Sequence, residues 1–340
     1  MKEALLYEKL ENNFTQCHLC AHRCRIAEQG LGFCGVRQNI GGTLYALTYG
    51  KVIAAHIDPV EKKPLYHFLP GSLSFSIAAV GCNFHCGFCQ NWEISQSSFR
   101  DNSGFGGEEI PAQEIVRQAV ENKCRSISYT YTEPTIFFEF ALDIAKLAKA
   151  TGLYNIFVTN GYMAKAALET IRPYLDAANV DLKFFKDSSY REICGGTLEP
   201  VLDSIRLMHK LGIWVEVTTL VIPGKNDSLE ELGAIAGFIA GVNKRIPWHV
   251  SAFHPDYKFS GYKATPAGTI RQALELGRQA GLTYIYAGNV PGMGHDTACP
   301  GCGKALIKRE GFSISEYNIK DGKCVSCAAE IPGIFGAGEI

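Results

Sequence analysis

The chain has 340 residues, of which 46% are hydrophobic and 20% are charged, a composition typical of a globular protein with one large domain and smaller additions. Its 33 basic and 34 acidic residues balance, which argues against a general binder of nucleic acid or membrane surfaces. The charged N-terminus lacks a signal-peptide core, and no apolar run approaches the ~20 residues of a membrane helix. We therefore expect a cytoplasmic protein that does not enter a membrane.

Residues 1–71 are predicted to form an N-terminal, cysteine-rich, metal-binding segment with strand-like runs at 43–48 and 52–57. The four cysteines of this segment are Cys17, Cys20, Cys24 and Cys34. Four thiolates satisfy either a zinc ion or a fully coordinated 4Fe–4S cluster, and the spacing does not decide between them. His18 and His22 are alternative ligands.

From residue 72 to about residue 290, strands and helices alternate. The predicted strands are 73–80, 126–129, 155–159, 179–182, 213–221, 248–253 and 283–287. The predicted helices are 111–122, 135–150, 199–211, 228–241 and 266–280. This alternation predicts an α/β fold with a parallel sheet and right-handed crossovers, either open or curled into a barrel. In such folds the site lies at the C-terminal ends of the strands.

Three cysteines follow the first of these strands in a C-x3-C-x2-C triplet, with Phe88 just before the last one. They are Cys82, Cys86 and Cys89. Three thiolates can hold three irons of a 4Fe–4S cube, which normally takes four ligands, and leave one iron open to substrate or cofactor. The alternative is a zinc loop or three unrelated core cysteines.

Polar residues stand at or near the ends of later strands. The candidate cofactor-binding residues are Thr132, Glu133, Thr159, Asn160, Asp181, Lys183, Thr219 and His254. Each also has a local interpretation: a helix cap at the Thr-Glu-Pro turn, an Asn-Gly turn, a plain salt bridge, a tight Pro-Gly turn and a core histidine. Their common position at strand ends favours a shared site.

Residues 291–340 leave the alternating pattern and are predicted to form a C-terminal module. It carries two C-x2-C pairs, formed by Cys299, Cys302, Cys324 and Cys327. Two knuckles of this kind close a tetrahedral zinc site, so the module resembles a zinc ribbon, with a structural cap favoured over nucleic-acid binding. Among the thirteen cysteines, Cys124 and Cys194 stand alone.

Taken in order, the triplet and the strand-end residues resemble the pyruvate formate-lyase activating enzyme branch of the radical S-adenosylmethionine (SAM) superfamily. The resemblance covers about residues 72–290 and implies a partial (β/α)6-type barrel, in which the triplet binds a 4Fe–4S cluster and SAM chelates its open iron. The turn at Glu133 would then lie near the SAM amino group. Two departures stand out: this turn lacks the paired glycines of the family, and Glu216 stands where an arginine is expected.

The flanking sequence extends the resemblance over nearly the full chain. Runs at 17–37, 58–65 and 90–96 look like the AmmeMemoRadiSam system radical SAM enzyme, a family named for its association with Memo-like and AMMECR-one-like proteins. The resemblance implies these two proteins as partners, together with an electron donor such as flavodoxin or ferredoxin. It brings no known substrate with it. A small molecule and a protein are both open, as is the modification of a peptide or an RNA.

The implied activity is reductive cleavage of SAM to methionine and a 5′-deoxyadenosyl radical that abstracts hydrogen from a substrate. One alternative is a glycyl-radical activase, which Glu216 disfavours. Another is a non-enzymatic, metal-dependent module that binds RNA or protein through the zinc ribbon. The second alternative needs a basic face, and a net charge of −1 does not supply one.

Overall fold

The computed structural model describes residues 1–97 and 107–336. Its centre is an eight-stranded sheet with seven parallel strands and one antiparallel edge strand. In chain order the strands are β1 (Ala54–Pro59), β2 (Leu73–Ala78), β3 (Ser126–Tyr129), β4 (Tyr154–Thr159), β5 (Ala177–Asp181), β6 (Trp214–Val221), β7 (Trp248–Ala252) and β8 (Ile285–Gly288). Neighbours in sequence are neighbours in the sheet, which confirms the predicted α/β class and its parallel sheet.

A helix lies between each pair of consecutive parallel strands from β2 to β8. The helices are α1 (Ala112–Glu121), α2 (Phe138–Ala150), α3 (Lys165–Ile171), α4 (Glu199–Lys210), α5 (Leu229–Val242) and α6 (Ala267–Gln279). Helix α1 buries Ile115, Val116 and Ala119 on one face, whereas Val120 is 50% exposed because it lies further around the helix. Helix α3 was absent from the sequence prediction.

Strand β1 precedes the boundary predicted at residue 72, yet it pairs with β2 along its whole length, from Ala54 opposite Ala78 to Pro59 opposite Leu73. The core sheet therefore extends into the predicted N-terminal segment. Lys51–Val52 of that segment pairs with Glu108–Glu109, and most of the remainder forms two small three-stranded sheets. Their strands are Lys2–Glu3, Tyr7–Lys9, Thr15–Cys17, Arg25–Ile26, Arg37–Ile40 and Thr43–Ala46.

A buried ion pair joins the N-terminal segment to helix α2. Arg37 donates from both terminal nitrogens to Glu139, at 3.1 Å to Oε1 and 2.5 Å to Oε2, and the two side chains are 2% and 1% exposed. Because this pair is buried and makes two contacts, it fixes the position of the strand that carries Arg37 relative to helix α2.

The C-terminal module packs its own small core of Leu306, Ile307, Ile319 and Ile331 beside two cysteines. Its strands are Thr297–Ala298, Ala305–Glu310, Ser313–Tyr317, Ile319–Lys320 and Lys323–Cys324. Arg309 reaches from this module into the core, donates to the Tyr66 carbonyl at 2.8 Å and is fully buried. The module therefore docks against the sheet.

Candidate active site

A cavity of about 960 Å³ opens where the parallel strands end. The sequence-predicted residues that line it are Cys82, Cys86, Cys89, Thr132, Glu133, Thr159, Asn160, Asp181, Lys183 and His254. Gly311 and Phe312 of the C-terminal module line it as well. Residues separated by about half the chain thus meet at the edge of the sheet where parallel α/β folds carry their sites.

The triplet loop is held by backbone contacts with the turn of helix that precedes α4. The N–H groups of His85 and Gly87 donate to the carbonyls of Cys194 and Ile193, at 2.7 and 3.3 Å. Its thiols also have partners, because Ser95 Oγ lies 3.1 Å from Cys89 Sγ. These hydrogen bonds hold the loop against the rest of the protein.

Two donors point at the first thiol of the triplet. The Phe84 N–H lies 3.3 Å from Cys82 Sγ, and the Asn160 amide nitrogen lies 3.7 Å from it. Hydrogen bonding from the Cys194 thiol lowers the pKa of Cys86, whereas burial raises the pKa of Cys82. Sequence analysis did not connect Cys194 with the site, because Cys194 lies outside the three cysteine groups.

Glu133 ties the ends of β3 and β4 together. Its Oε1 accepts hydrogen bonds from the N–H and hydroxyl of Thr135, at 3.0 and 2.5 Å, and from the Thr159 hydroxyl at 2.7 Å. Its Oε2 accepts from the Asn160 N–H at 2.8 Å. The carboxylate thus caps the short 3-10 helix Pro134–Phe137. A helix does start at this turn, but its cap is Glu133 and not Thr132, whose hydroxyl donates to the Ala79 carbonyl at 2.7 Å.

The end of β5 supplies a charged pair to the cavity. Lys183 Nζ lies 2.7 Å from Asp181 Oδ2, and the lysine side chain is 14% exposed. Burial alone would lower the pKa of Lys183, but the Asp181 carboxylate and the Cys86 thiolate raise it well above the usual lysine value. Lys183 is therefore a persistent cation beside the triplet.

Thr219 and Glu216, both on β6, do not line the cavity. Thr219 Oγ1 donates to the Leu182 carbonyl and accepts from Trp248 Nε1, both at 3.0 Å, so its side chain is engaged between strands. Thr218, one residue earlier and on the other face of β6, lines the cavity in its place.

Glu216 is also engaged inside the protein. Its carboxylate accepts from the N–H groups of Tyr66 and His67 at 3.0 and 2.8 Å, from Trp214 Nε1 at 3.0 Å and from His249 at 2.6 Å. It holds the segment after β1 against β6.

A second buried charge cluster lines the cavity where sequence analysis proposed no site. Asp58 accepts from Lys63 at 2.6 Å, from Lys62 at 2.8 Å and from the Tyr131 hydroxyl. Burial lowers the pKa of Lys63 to about 8 against the pull of Asp58. The run of charges at 58–63 was visible in the sequence, but its burial was not.

The two flanking cysteine groups differ in spacing. The thiols of Cys299, Cys302, Cys324 and Cys327 all lie within 4.8 Å of one another. In the part of the chain that the structure describes, no other group of three or more His, Cys, Asp or Glu donors meets that spacing. The four N-terminal cysteines line a second, smaller cavity together with His22 and Arg37.

Comparison with known proteins identifies the fold and the class of chemistry. The model of the Radical SAM superfamily matches residues 76–238. An uncharacterized protein of Methanocaldococcus jannaschii is 44% identical over 97% of this chain and 99% of its own. The chain belongs to the radical SAM superfamily. The triplet loop and all but the last of the candidate strand-end residues lie inside the matched region.

Activating enzymes are among the relatives of this radical SAM chain. The pyruvate formate-lyase-activating enzyme of Clostridium pasteurianum is 24% identical over 54% of this chain and 81% of its own. A putative glycyl-radical enzyme activating enzyme of Methanocaldococcus jannaschii is 26% identical over 52% of this chain and 66% of its own. The resemblance to the activating-enzyme branch is thereby confirmed.

A solved structure shares the fold. Streptococcus suis SuiB bound to S-adenosylmethionine superposes with a TM-score of 0.51 at 15% identity, covering 68% of this chain and 53% of that one. Among residues 1–97 and 107–336, no helix combines the length and apolarity needed to cross a bilayer.

Radical SAM membership implies a 4Fe–4S cluster and SAM, and the cavity fits both. It offers three thiols from one loop, the donor set of a cluster with one open iron, and it is large enough for a nucleoside beside them. A cation and a carboxylate, both partly exposed, lie nearby at Lys183 and Asp181. Charged groups of both signs suit the amino and carboxylate groups of an amino acid.

Proposed function

We propose that this chain is the radical SAM enzyme of an AmmeMemoRadiSam system, acting on a substrate that enters the 960 Å³ cavity. The observation that carries the proposal is the meeting of the cysteine triplet with polar groups from four other strand ends in that single cavity. The full-length pattern of cysteines and the runs at 17–37, 58–65 and 90–96 support the narrower family. Memo-like and AMMECR-one-like proteins are the proposed partners, and a cytoplasmic location stays a prediction.

In this proposal Cys82, Cys86 and Cys89 hold the cluster. Bound together, the reduced cluster and SAM supply a 5′-deoxyadenosyl radical. The Phe84 N–H and the Asn160 amide donate to Cys82 Sγ, which stabilises negative charge on that sulfur.

Lys183 and Asp181 are the proposed partners of the SAM amino-acid end. Relatives are expected to carry an arginine on the following strand, where this chain has Glu216. The Glu216 carboxylate already accepts hydrogen bonds from inside the protein. Lys183 is therefore the proposed cation for the SAM carboxylate. Glu133 is a positioning residue: its carboxylate accepts from Thr159 and the Asn160 N–H and so fixes both residues at the cavity. His254 lies exposed at the cavity edge and is a proposed contact of the substrate.

Zinc is the proposed metal of the C-terminal module. Two thiolates bound to one zinc at about 2.3 Å in a tetrahedron stand about 3.8 Å apart. Cys299 Sγ lies 3.5 Å from Cys327 Sγ, and Cys302 Sγ lies 3.8 Å from Cys324 Sγ. The four thiols are therefore already placed for a single ion. The N-terminal cysteines suit zinc or a second iron–sulfur cluster by ligand count alone.

A glycyl-radical activase is the second candidate function, favoured by the activating enzymes among the relatives. It requires that a glycine loop of a partner protein enter the cavity. The discriminating measurement is the electron paramagnetic resonance (EPR) signal of a glycyl radical on a co-expressed partner. Family membership disfavours the non-enzymatic alternative.

The test is anaerobic reconstitution with iron and sulfide, addition of SAM and dithionite, and quantification of 5′-deoxyadenosine. We expect product from the parent and from Cys124→Ala, which removes a lone buried cysteine next to α1. We expect none from Cys86→Ala. A parent protein that binds no 4Fe–4S cluster, or a Cys86→Ala variant as active as the parent, would refute the proposal.

A further inference from the structure

The four N-terminal thiols line the same cavity, but their sulfur atoms do not form a tight group. Cys17, Cys20, Cys24 and Cys34 all line one cavity. Yet no three of them have sulfurs mutually within 4.8 Å, among the residues that the structure describes. A single zinc ion requires sulfurs about 3.8 Å apart.

The other two cysteine groups of this chain can be compared with the N-terminal group. The C-terminal thiols meet the spacing of a single ion, whereas those of the Cys82–Cys89 loop, which belongs to the iron–sulfur family, do not. In a cube each thiolate binds a different iron, so the sulfurs stand further apart than around one ion. The N-terminal set behaves like the catalytic triplet and unlike the ribbon.

A buried donor without a partner faces the N-terminal cavity. Arg37 lines that cavity and is 2% exposed. Its two terminal nitrogens bond Glu139, but its Nε has no hydrogen-bond partner among the described residues. A buried N–H in this state is costly unless a ligand accepts from it. Cluster sulfides and thiolates are such acceptors, and bonds of this kind tune cluster potentials.

The N-terminal cavity adjoins the catalytic loop. His22 Nε2 lies 2.7 Å from the Asn83 carbonyl, which can only accept, so this nitrogen carries the proton. The His22 ring stacks on Phe33 at 4.0 Å between centroids. A Cβ on Gly81, the residue before Cys82, would lie 3.2 Å from the Cys34 carbonyl. The two cysteine loops are in backbone contact.

We infer that Cys17, Cys20, Cys24 and Cys34 hold a second, fully coordinated 4Fe–4S cluster that passes electrons to the catalytic cluster. This inference goes beyond the proposed function, which leaves the metal open, and its electron-entry role rests on that function. One electron leaves a low-potential flavin or iron–sulfur protein and reduces the N-terminal cluster. It then moves to the catalytic cluster, and no bond forms or breaks in this transfer.

Metal content tests the site independently of activity. Iron, sulfide and zinc are measured per chain in three anaerobically reconstituted proteins: the parent, a Cys82→Ala/Cys86→Ala/Cys89→Ala variant and a Cys17→Ala/Cys20→Ala variant. We expect about eight irons in the parent, about four in each variant, and about one zinc in all three. A triplet variant with no iron, whether it holds one zinc or two, would overturn the inference.

If the triplet variant does not fold, the Cys17→Ala/Cys20→Ala protein tests the inference by itself. It must lose four irons while its remaining cluster still changes its EPR spectrum on addition of SAM, and an iron content equal to that of the parent would overturn the inference. A parent with eight irons that forms no 5′-deoxyadenosine would instead contradict the proposed function alone.

The role in electron entry has its own test. His22→Phe keeps an aromatic ring against Phe33 and removes the N–H that meets Asn83. The control is His209→Phe, at a histidine of α4 that lines neither cavity. With flavodoxin as donor, we expect His22→Phe to form 5′-deoxyadenosine several-fold more slowly than the control. With dithionite, which reaches both clusters directly, the two rates should agree. Equal slowing with both reductants would overturn electron entry through this site.

Discussion

Replacing Asp58 by asparagine leaves the ammonium group of Lys63 inside the cavity wall without its counter-charge. The two side chains are 6% and 2% exposed, and Lys63 Nζ lies 2.6 Å from Asp58 Oδ2. Removing one partner of such a buried pair costs about 3–5 kcal/mol. We expect a value near the lower end for Asp58→Asn, because the amide oxygen still accepts from one neighbour and Lys62 is exposed enough to turn to water.

The loss should depend on pH. Burial lowers the pKa of Lys63 to about 8 from its ordinary 10.5, so the stability linked to this group is complete above its ordinary value and is lost as the pH falls through the folded value. Without Asp58, whose charge raises that pKa, the folded value drops further. The deficit of Asp58→Asn relative to the parent should therefore be smaller at about pH 9 than at about pH 7.

The assay is urea denaturation of the parent, Asp58→Asn and the double variant Asp58→Asn/Lys63→Met, followed by circular dichroism. The double variant removes the stranded cation and should recover about 0.5–3 kcal/mol of the loss. Identical unfolding free energies for the single and double variants at both pH values would refute the argument that an unpaired buried charge causes the loss.

Three further predictions concern other parts of the chain. Cys324→Ser should lower bound zinc by about one atom per chain with iron unchanged, and an unchanged zinc content would contradict the assignment. Gly196→Ala places a Cβ 2.3 Å from the Phe84 ring and should lower the unfolding free energy by about 1–3 kcal/mol in urea; an unmoved midpoint would show that the ring yields freely. Burial alone would raise the pKa of Glu216, but the hydrogen bond from His249 helps to lower it, so its contribution to stability is present above the ordinary carboxyl pKa and lost as the pH falls. Glu216→Gln should therefore flatten the acid dependence of the unfolding free energy, and a slope equal to that of the parent would argue against this linkage.

Much of the core was predictable because its signals are local. Each strand of the parallel sheet has a dense apolar run bounded by glycine, proline or polar residues, and all seven predicted strands are present within a few residues. The triplet was equally easy to recognise in the sequence, since its three thiols lie in one loop. Strand ends then brought Glu133, Asp181 and Lys183 to one cavity, as the parallel topology requires.

What escaped prediction depends on contacts between distant parts of the chain. Glu216 takes donors from residues 66 and 67, about 150 positions earlier, and no periodicity in the sequence reports that pairing. Cys194 meets the triplet loop only because the turn before α4 packs against it. On β6 the prediction named Thr219, whereas Thr218 lines the cavity, because a shift of one residue exchanges the two faces of a strand.

The docking of the hairpin that carries Arg309 and Phe312 sets an order of events during synthesis. This hairpin leaves the ribosome after all eight strands of the sheet, yet it supplies part of the cavity wall and the cation that contacts Tyr66. A nascent chain can therefore assemble its sheet while the cavity still lacks one side. The cavity is enclosed on this side only after the hairpin has been synthesised and has docked against the sheet.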